Sequence, residues 1–223
     1  MKTNFLPDVD ERAQAVLEDL LRRYPVLSLC RESIWEAYVC LRECFVNDHA
    51  LFTCGNGGSA ADSDHIVGEI VKGFTKKRPL SIEEQNVFLE NGEEEGSILA
   101  KKLQQGFRAI NLMSQSAIWS AVANDLDSDM GAAQQLWAIG RPGDVLLGIS
   151  TSGNARNVAL AVQVAHSRGI RVIGLTGKHG GRLANMADVC VCVPEQETFK
   201  VQELHLPVYH ALCMMVEVSF FEK

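Results

Sequence analysis

Two short stretches of this sequence combine residue types suited to holding an anion. Cys54-Gly55-Asn56-Gly57-Gly58-Ser59 follows an apolar run and opens a helical pattern. Glycines there permit tight turns and leave backbone N–H groups uncovered. The start of the following helix favours an anion, and Ser59 is an expected N-cap. Ser150-Thr151-Ser152-Gly153-Asn154 repeats the arrangement. Its three adjacent hydroxyls can donate several hydrogen bonds to a phosphate without any positive charge. Neither stretch matches the dinucleotide fingerprint G-x-G-x-x-G or the P-loop, which needs G-K-[ST]. Either one alone is equally a structural turn and cap. Two such loops at the carboxyl ends of strands, where ligands of open α/β sheets bind, point to a phosphate.

Two further stretches carry acid–base and metal-ligating groups. His65 and Glu69 are four residues apart and share a helical face. They can bind one metal, share a proton, or stand as a surface pair. Gln202 and His210 are eight apart on the last helical segment and can face one cleft, although Pro207 between them disfavours an unbroken helix. By residue type alone His210 is not distinguished from His205. A carboxylate base and an imidazole acid are the pair needed to lift a proton beside a carbonyl and manage the oxygens of an enediol. A metal held by His, Gln and carboxylate oxygen suits zinc or another borderline divalent ion.

The elements that must position these groups follow from periodicity. Residues 8–24 and 29–48 show helical apolar spacing on either side of Tyr24-Pro25, as in an αα-hairpin. From residue 50 the pattern changes to short apolar runs, each followed by a Gly- or Ser-rich turn and a helix: Ala50–Cys54, Asp144–Ser150, Arg171–Thr176 and Val189–Pro194, with 107–113 as a further strand. Continuously apolar strands alternating with helices predict a doubly wound parallel sheet covered on both faces. A helix over Asn154–Arg168 ends at Gly169, and the last helix spans about Lys200–Phe221. The domain reading is an N-terminal helical segment, 1–48, on an α/β domain, 49–223. Residues 80–106, acidic and without a clear strand, read either as a solvated helix–turn–helix excursion or as a lid or partner-docking element.

Bulk properties limit the partners. The 223 residues fit one domain with a sizeable core. A net charge of −7 and the lack of a long Lys/Arg run argue against bulk nucleic acid and anionic membrane as ligands. No secretory h-region or 18-residue apolar stretch appears. Seven scattered cysteines read as reduced thiols of a cytoplasmic protein, and Cys190 and Cys192 are too close for an unstrained disulfide.

GNGGS, HIVGE, AND, GDVLLGISTSGN, VIGLTGKHGG and QELHLPVYH, in that order, resemble the SIS-domain phosphoheptose isomerases. The resemblance runs from about residue 35 to the C-terminus, apart from the stretch near 80–106. It implies a flavodoxin-like fold and the isomerisation of sedoheptulose 7-phosphate to D-glycero-manno-heptose 7-phosphate through an enediol. It further implies a homotetramer with active sites at subunit interfaces built partly by the N-terminal helices, with one zinc ion per subunit and no organic cofactor. Carried onto this chain, Glu69 would be the base and His210 the acid. His65, Glu69, Gln202 and His210 would ligate the metal. Asn56, Gly57, Gly58, Ser59, Glu69, Asn124, Asp125, Ser150, Thr151, Ser152 and Gln202 would contact substrate. The chain departs from the family at Ala155, where a serine is usual, at Phe199, where an acidic residue is common, and near Gly73, where an arginine is usual. A sugar phosphate of another kind, or a non-catalytic SIS adaptor for a protein such as a replication initiator, are the alternatives. That adaptor branch typically lacks the glutamate and histidine that stand here as Glu69 and His210. A sugar-phosphate sensor would need a DNA-binding module, and none is recognisable.

Overall fold

The computed structural model describes residues 9–90, 92 and 94–221. Residue 8 of the first helical segment, and Asn91 and Glu93 of the acidic stretch, lie outside these. In chain order the elements are α1 (Val9–Arg23), a 3-10 turn (Pro25–Cys30), α2 (Arg31–Val46), β1 (Leu51–Cys54), α3 (Gly58–Val71), α4 (Ile82–Leu89) and α5 (Glu94–Lys102). There follow β2 (Ala109–Asn111), α6 (Ser116–Asp125), α7 (Gly131–Ile139), β3 (Val145–Ser150), α8 (Arg156–Ser167), β4 (Arg171–Thr176), α9 (Gly181–Met186), β5 (Val189–Cys192) and α10 (Thr198–Phe220).

All five strands pair in parallel, in the order β2-β1-β3-β4-β5. This is the flavodoxin-like order, and its topological switch point lies between β1 and β3. The two glycine- and serine-rich loops leave the carboxyl ends of those two strands, so the topology itself brings them together. Every residue of β3 is buried, as a strand covered on both faces requires. Leu51, Val145, Leu147, Ile149, Ile173 and Leu175 face a layer built from α1, α2, α3 and α10. Phe52, Leu146 and Val172 face the other layer, which holds α7, α8 and α9.

Three local expectations change. The N-cap of α3 is Gly57, at φ +53°, and Ser59 lies inside the first turn; glycine takes the left-handed backbone at the turn without a Cβ penalty. The helix after β3 starts at Arg156, because Asn154 is occupied in the turn, where its side chain donates to the Ser152 carbonyl. Pro207 does not divide the last helix, which runs through it with the proline ring buried. The N-terminal helices are present, with α1 packed along α10 more than along α2. The 80–106 segment carries two short helices: Ser81 and Glu84 form a capping box at α4, and Gly96 of α5 sits against the Phe88 carbonyl. Its base is closed by an antiparallel bridge between Pro79 and Gln104. All seven cysteines are free thiols.

Candidate active site

A cleft of about 410 Å³ opens at the switch point, lined by Asn56, Gly57, Gly58, Ser59, Ser150, Thr151 and Ser152, with Ile149, Ala155, Thr198 and Gln202. The N-terminal ends of α3, α8 and α10 all contribute lining residues. Each carries uncovered N–H groups and a partial positive charge, so their sum attracts an anion although no Lys or Arg is among the lining residues. Ser150 Oγ accepts from the Ala155 amide at 3.5 Å, and Ser152 Oγ accepts from the Asn154 amide at 3.2 Å. A hydroxyl that accepts from the backbone still has its one proton to donate. Asn56 and Asn157 exchange two amide hydrogen bonds of 2.8 Å, tying the first loop to α8.

Gly58 lies against the end of the Gln202 side chain, whose amide a Cβ there would displace. Gly153, at φ +68°, is required twice over, because a Cβ would also collide with the Gly180 carbonyl. The loop after β4 is thereby pressed onto the serine loop, and the Gly153 carbonyl accepts from the Leu183 amide.

A second cluster lies farther along α3, where that helix meets α10. His65 Nε2 is 3.4 Å from Glu69 Oε1, and Lys72 Nζ is 3.2 Å from Glu69 Oε2. His65 Nδ1 is 3.0 Å from the Tyr209 hydroxyl, which donates to Asp62 Oδ1 at 3.2 Å. The His210 ring stands edge-on to His65 at 4.9 Å and against Phe74 at 5.3 Å. Burial pushes the Asp62 carboxyl up, against the opposing Tyr209 hydrogen bond and His65. Burial likewise lowers His210, with His65 and Arg23 adding to the shift and Glu69 opposing it. His210 Nε2 is buried without a hydrogen-bond partner. The choice between the two histidines of α10 resolves here. His205 is fully buried beside β4, and burial depresses its pKa to about 4; His210 is the one that meets His65.

The expected site residues thus fall into two groups. Asn56, Gly57, Gly58, Ser59, Ser150, Thr151, Ser152 and Gln202 share the cleft; His65, Glu69 and His210 share the α3–α10 cluster. Gln202 packs on Gly58 and belongs to the first group, two helical turns before His210. Asn124 and Asp125 bond each other on the last turn of α6 and do not line the cleft. Among the described residues no three His, Cys, Asp or Glu side chains are arranged to hold a metal ion. Sequence reasoning missed Asp62, Tyr209, Phe74, Asn157 and Thr198. Asp62 and His65 do lie three apart on one face of α3, a spacing that pointed to the first of these.

The SIS-domain family model matches residues 127–218. The chain is 40% identical over 170 residues to a phosphoheptose isomerase of Thiobacillus denitrificans, covering 75% of this chain and 73% of that one. It is 36% identical over 181 residues to one from Roseiflexus, covering 81% and 79%. Among solved structures it resembles phosphoheptose isomerase GmhA from Neisseria gonorrhoeae, with TM-score 0.70, 32% identity, and coverage of 93% and 98%.

Proposed function

Since this chain belongs to the phosphoheptose isomerase family of SIS-domain proteins and is a sugar-phosphate isomerase, we propose that it interconverts sedoheptulose 7-phosphate and D-glycero-manno-heptose 7-phosphate. The observation that carries this reading is that one chain holds both a meeting of Glu69, His65 and His210 and, elsewhere on the same two helices, a cleft whose donors suit a phosphate.

The phosphate would lie across the N-termini of α3 and α8, held by backbone amides and the hydroxyls of Ser150, Thr151 and Ser152. Glu69 takes the C1 proton, and the released pair forms the C1=C2 bond of the enediol. His210 moves protons between the two oxygens: O2 gains one, O1 gives one up. Glu69 then returns its proton to C2, leaving the carbonyl at C1. His65, anchored through Tyr209 to Asp62, holds the Glu69 carboxylate in place.

Glu69 lies eleven residues beyond Gly58 on one helix, roughly 16 Å at 1.5 Å per residue. That is longer than the reach of a seven-carbon sugar from its phosphate to C1. The reading is therefore a site shared between copies, the cleft of one completed by Glu69 and His210 of a neighbour, as the homotetramer implied by the family resemblance would allow. Mixing two inactive variants, Glu69→Gln and Gly58→Val, would regenerate activity if sites are shared and none if each chain works alone.

The donors at His65, Glu69, Gln202 and His210 have the chemistry of a zinc site, yet they do not fit one ion as arranged. Within one copy Gln202 packs on Gly58, about two helical turns from His210, and among the described residues no three His, Cys, Asp or Glu side chains surround an ion. The deciding assay follows sedoheptulose 7-phosphate with the purified protein, once with added zinc and once with chelator. Turnover in either condition supports the substrate assignment; a failure in both overturns it.

A further inference from the structure

Below the acid–base cluster lies a buried ion pair that the reaction as described does not use. Arg78 and Glu217 are both fully buried, and Arg78 Nε donates to Glu217 Oε1 at 2.9 Å. Removing two charges from water is costly, and such a pair is weak evidence for stability on its own. What the two side chains grip is more informative.

Arg78 faces α3. Its Nη1 donates to the Ile70 carbonyl at 3.0 Å and its Nη2 to the Glu69 carbonyl at 3.2 Å. These belong to the last turn of the helix, where carbonyls lack intrahelical partners. The guanidinium thus caps α3 at the residue that carries the base. Its planar face lies over the rings of Phe107 and Phe221, so it has little freedom to shift.

Glu217 faces the other way. It sits on α10, seven residues after His210 and so on the same face of that helix. Its carboxylate accepts from the Phe74 amide at 2.8 Å, the Thr75 amide at 2.8 Å, the Thr75 hydroxyl at 2.5 Å and the Lys76 amide at 3.1 Å. Burial works against its charge, but these donors and Arg78 outweigh it and hold the carboxyl below its ordinary value. The segment it grips presents Phe74 to the His210 ring.

We propose that Arg78 and Glu217 are positioning residues for the isomerase: the pair joins the last turn of α3 to α10 and sets the placement of Glu69 against His210. This rests on the reading of Glu69 and His210 as base and acid. Neither Arg78 nor Glu217 touches the reacting atoms. They act through the Glu69 main chain and through Phe74. The bridge spans 139 residues of sequence, and a fork of parallel donors is what it needs. Lysine carries its three donors on one nitrogen and lacks the planar fork that reaches Glu217 and two carbonyls at once.

The test uses the full chain with three variants. Arg78→Lys keeps the charge and loses the fork. Glu217→Gln keeps an acceptor and loses the charge. Arg78→Met combined with Glu217→Leu removes both charges, a replacement that buried pairs often tolerate in stability. Amide hydrogen exchange reads the placement whatever the reaction is. Protection should fall at Phe74–Lys76 and the last turn of α3 in Arg78→Lys while β3 keeps its protection; unchanged exchange at Phe74–Lys76 overturns the proposal. Turnover of sedoheptulose 7-phosphate at a temperature where each variant is folded reads the consequence. The expected result is a kcat lower by about 10–100-fold, the scale of an ångström-level misplacement, with KM within about twofold. A stably folded double variant with wild-type kcat overturns the positioning role, since the pair would then serve stability alone. Inactive wild-type protein would instead overturn the substrate assignment, and the exchange result would still decide whether the pair fixes the two helices.

Discussion

The cleft at the switch point and the cluster between α3 and α10 share two helices and differ in almost everything else. The cleft is made of glycines, hydroxyls, amides and helix ends, with no titratable side chain among its described lining residues. The cluster is made of an aspartate, a tyrosine, two histidines, a glutamate and a lysine in mutual contact. An anion is held most cheaply by dipoles already oriented when it arrives, and those need no change of protonation. Proton transfer needs groups whose charge can change, held where burial and neighbours adjust them. Binding and chemistry are thus carried by different groups, and substitutions should separate them in rate and affinity.

The largest effect should come from the cluster. Glu69→Gln keeps the size of the side chain and removes the base. Turnover should fall by about 10²–10⁴-fold, the usual worth of one positioned proton-transfer group. Affinity for inorganic phosphate, measured by calorimetry, should stay within twofold because the cleft is untouched. Retained turnover would remove Glu69 as the base, and a parallel loss of phosphate affinity would break the separation itself.

Between the two regions lies His205, one turn after Gln202 and fully buried. Its folded pKa is about 4, against an unfolded value near 6.5. Above pH 6.5 both states are neutral and nothing is gained or lost. As pH falls from about 6.5 to about 4, the unfolded chain takes up a proton that the folded one refuses. Stability should therefore drop across that window, by up to about 3 kcal/mol. Urea midpoints measured from pH 7 to pH 4.5 should show the decline, and His205→Leu should flatten it. An equal slope in that variant would place the pH dependence elsewhere.

Gly153→Ala tests the cleft as architecture. The left-handed backbone alone costs a non-glycine residue about 1–3 kcal/mol, and the collision with the Gly180 carbonyl adds to it. Thermal unfolding should shift down by several degrees, with weaker phosphate binding alongside. A variant with unchanged melting and unchanged affinity would show that this loop tolerates a different path.

The same contrast explains what was legible in the sequence. The cleft is local: each loop is a run of adjacent residues following a strand, and the strand order falls out of short apolar runs alternating with helices. Glycine and serine types announce such loops because backbone freedom and hydroxyl donors are properties of single residues. What stayed hidden there was cross-loop, such as the Asn56–Asn157 pair, which joins residues 101 apart. The cluster is non-local throughout. Tyr209 reaches Asp62 across 147 residues, and Glu217 reaches Arg78 across 139. Nothing in the spacing of α10 favoured His210 over His205. Only the packing of α10 on α3 decides which one is buried among apolar strands and which meets His65. Ser59 misled for a related reason: its side-chain chemistry suits an N-cap, but the backbone turn at Gly57 placed the cap two residues earlier.

The smallest effect tests the claim that the cleft binds through many weak, equivalent donors. Ser152 is exposed, and its oxygen already accepts from the Asn154 amide, so only its proton is free for an anion. Ser152→Ala removes that one donor and leaves the helix ends and the other hydroxyls in place. One such hydrogen bond is worth about 0.5–1.5 kcal/mol, somewhat more when the acceptor is charged. Phosphate affinity should weaken by roughly 3–10-fold, appearing in KM for the sugar phosphate with kcat within twofold. A loss of a thousandfold would mean that a single hydroxyl dominates the cleft. A fall in kcat with constant KM would place Ser152 in the chemistry after all, and the division between the two regions would not hold.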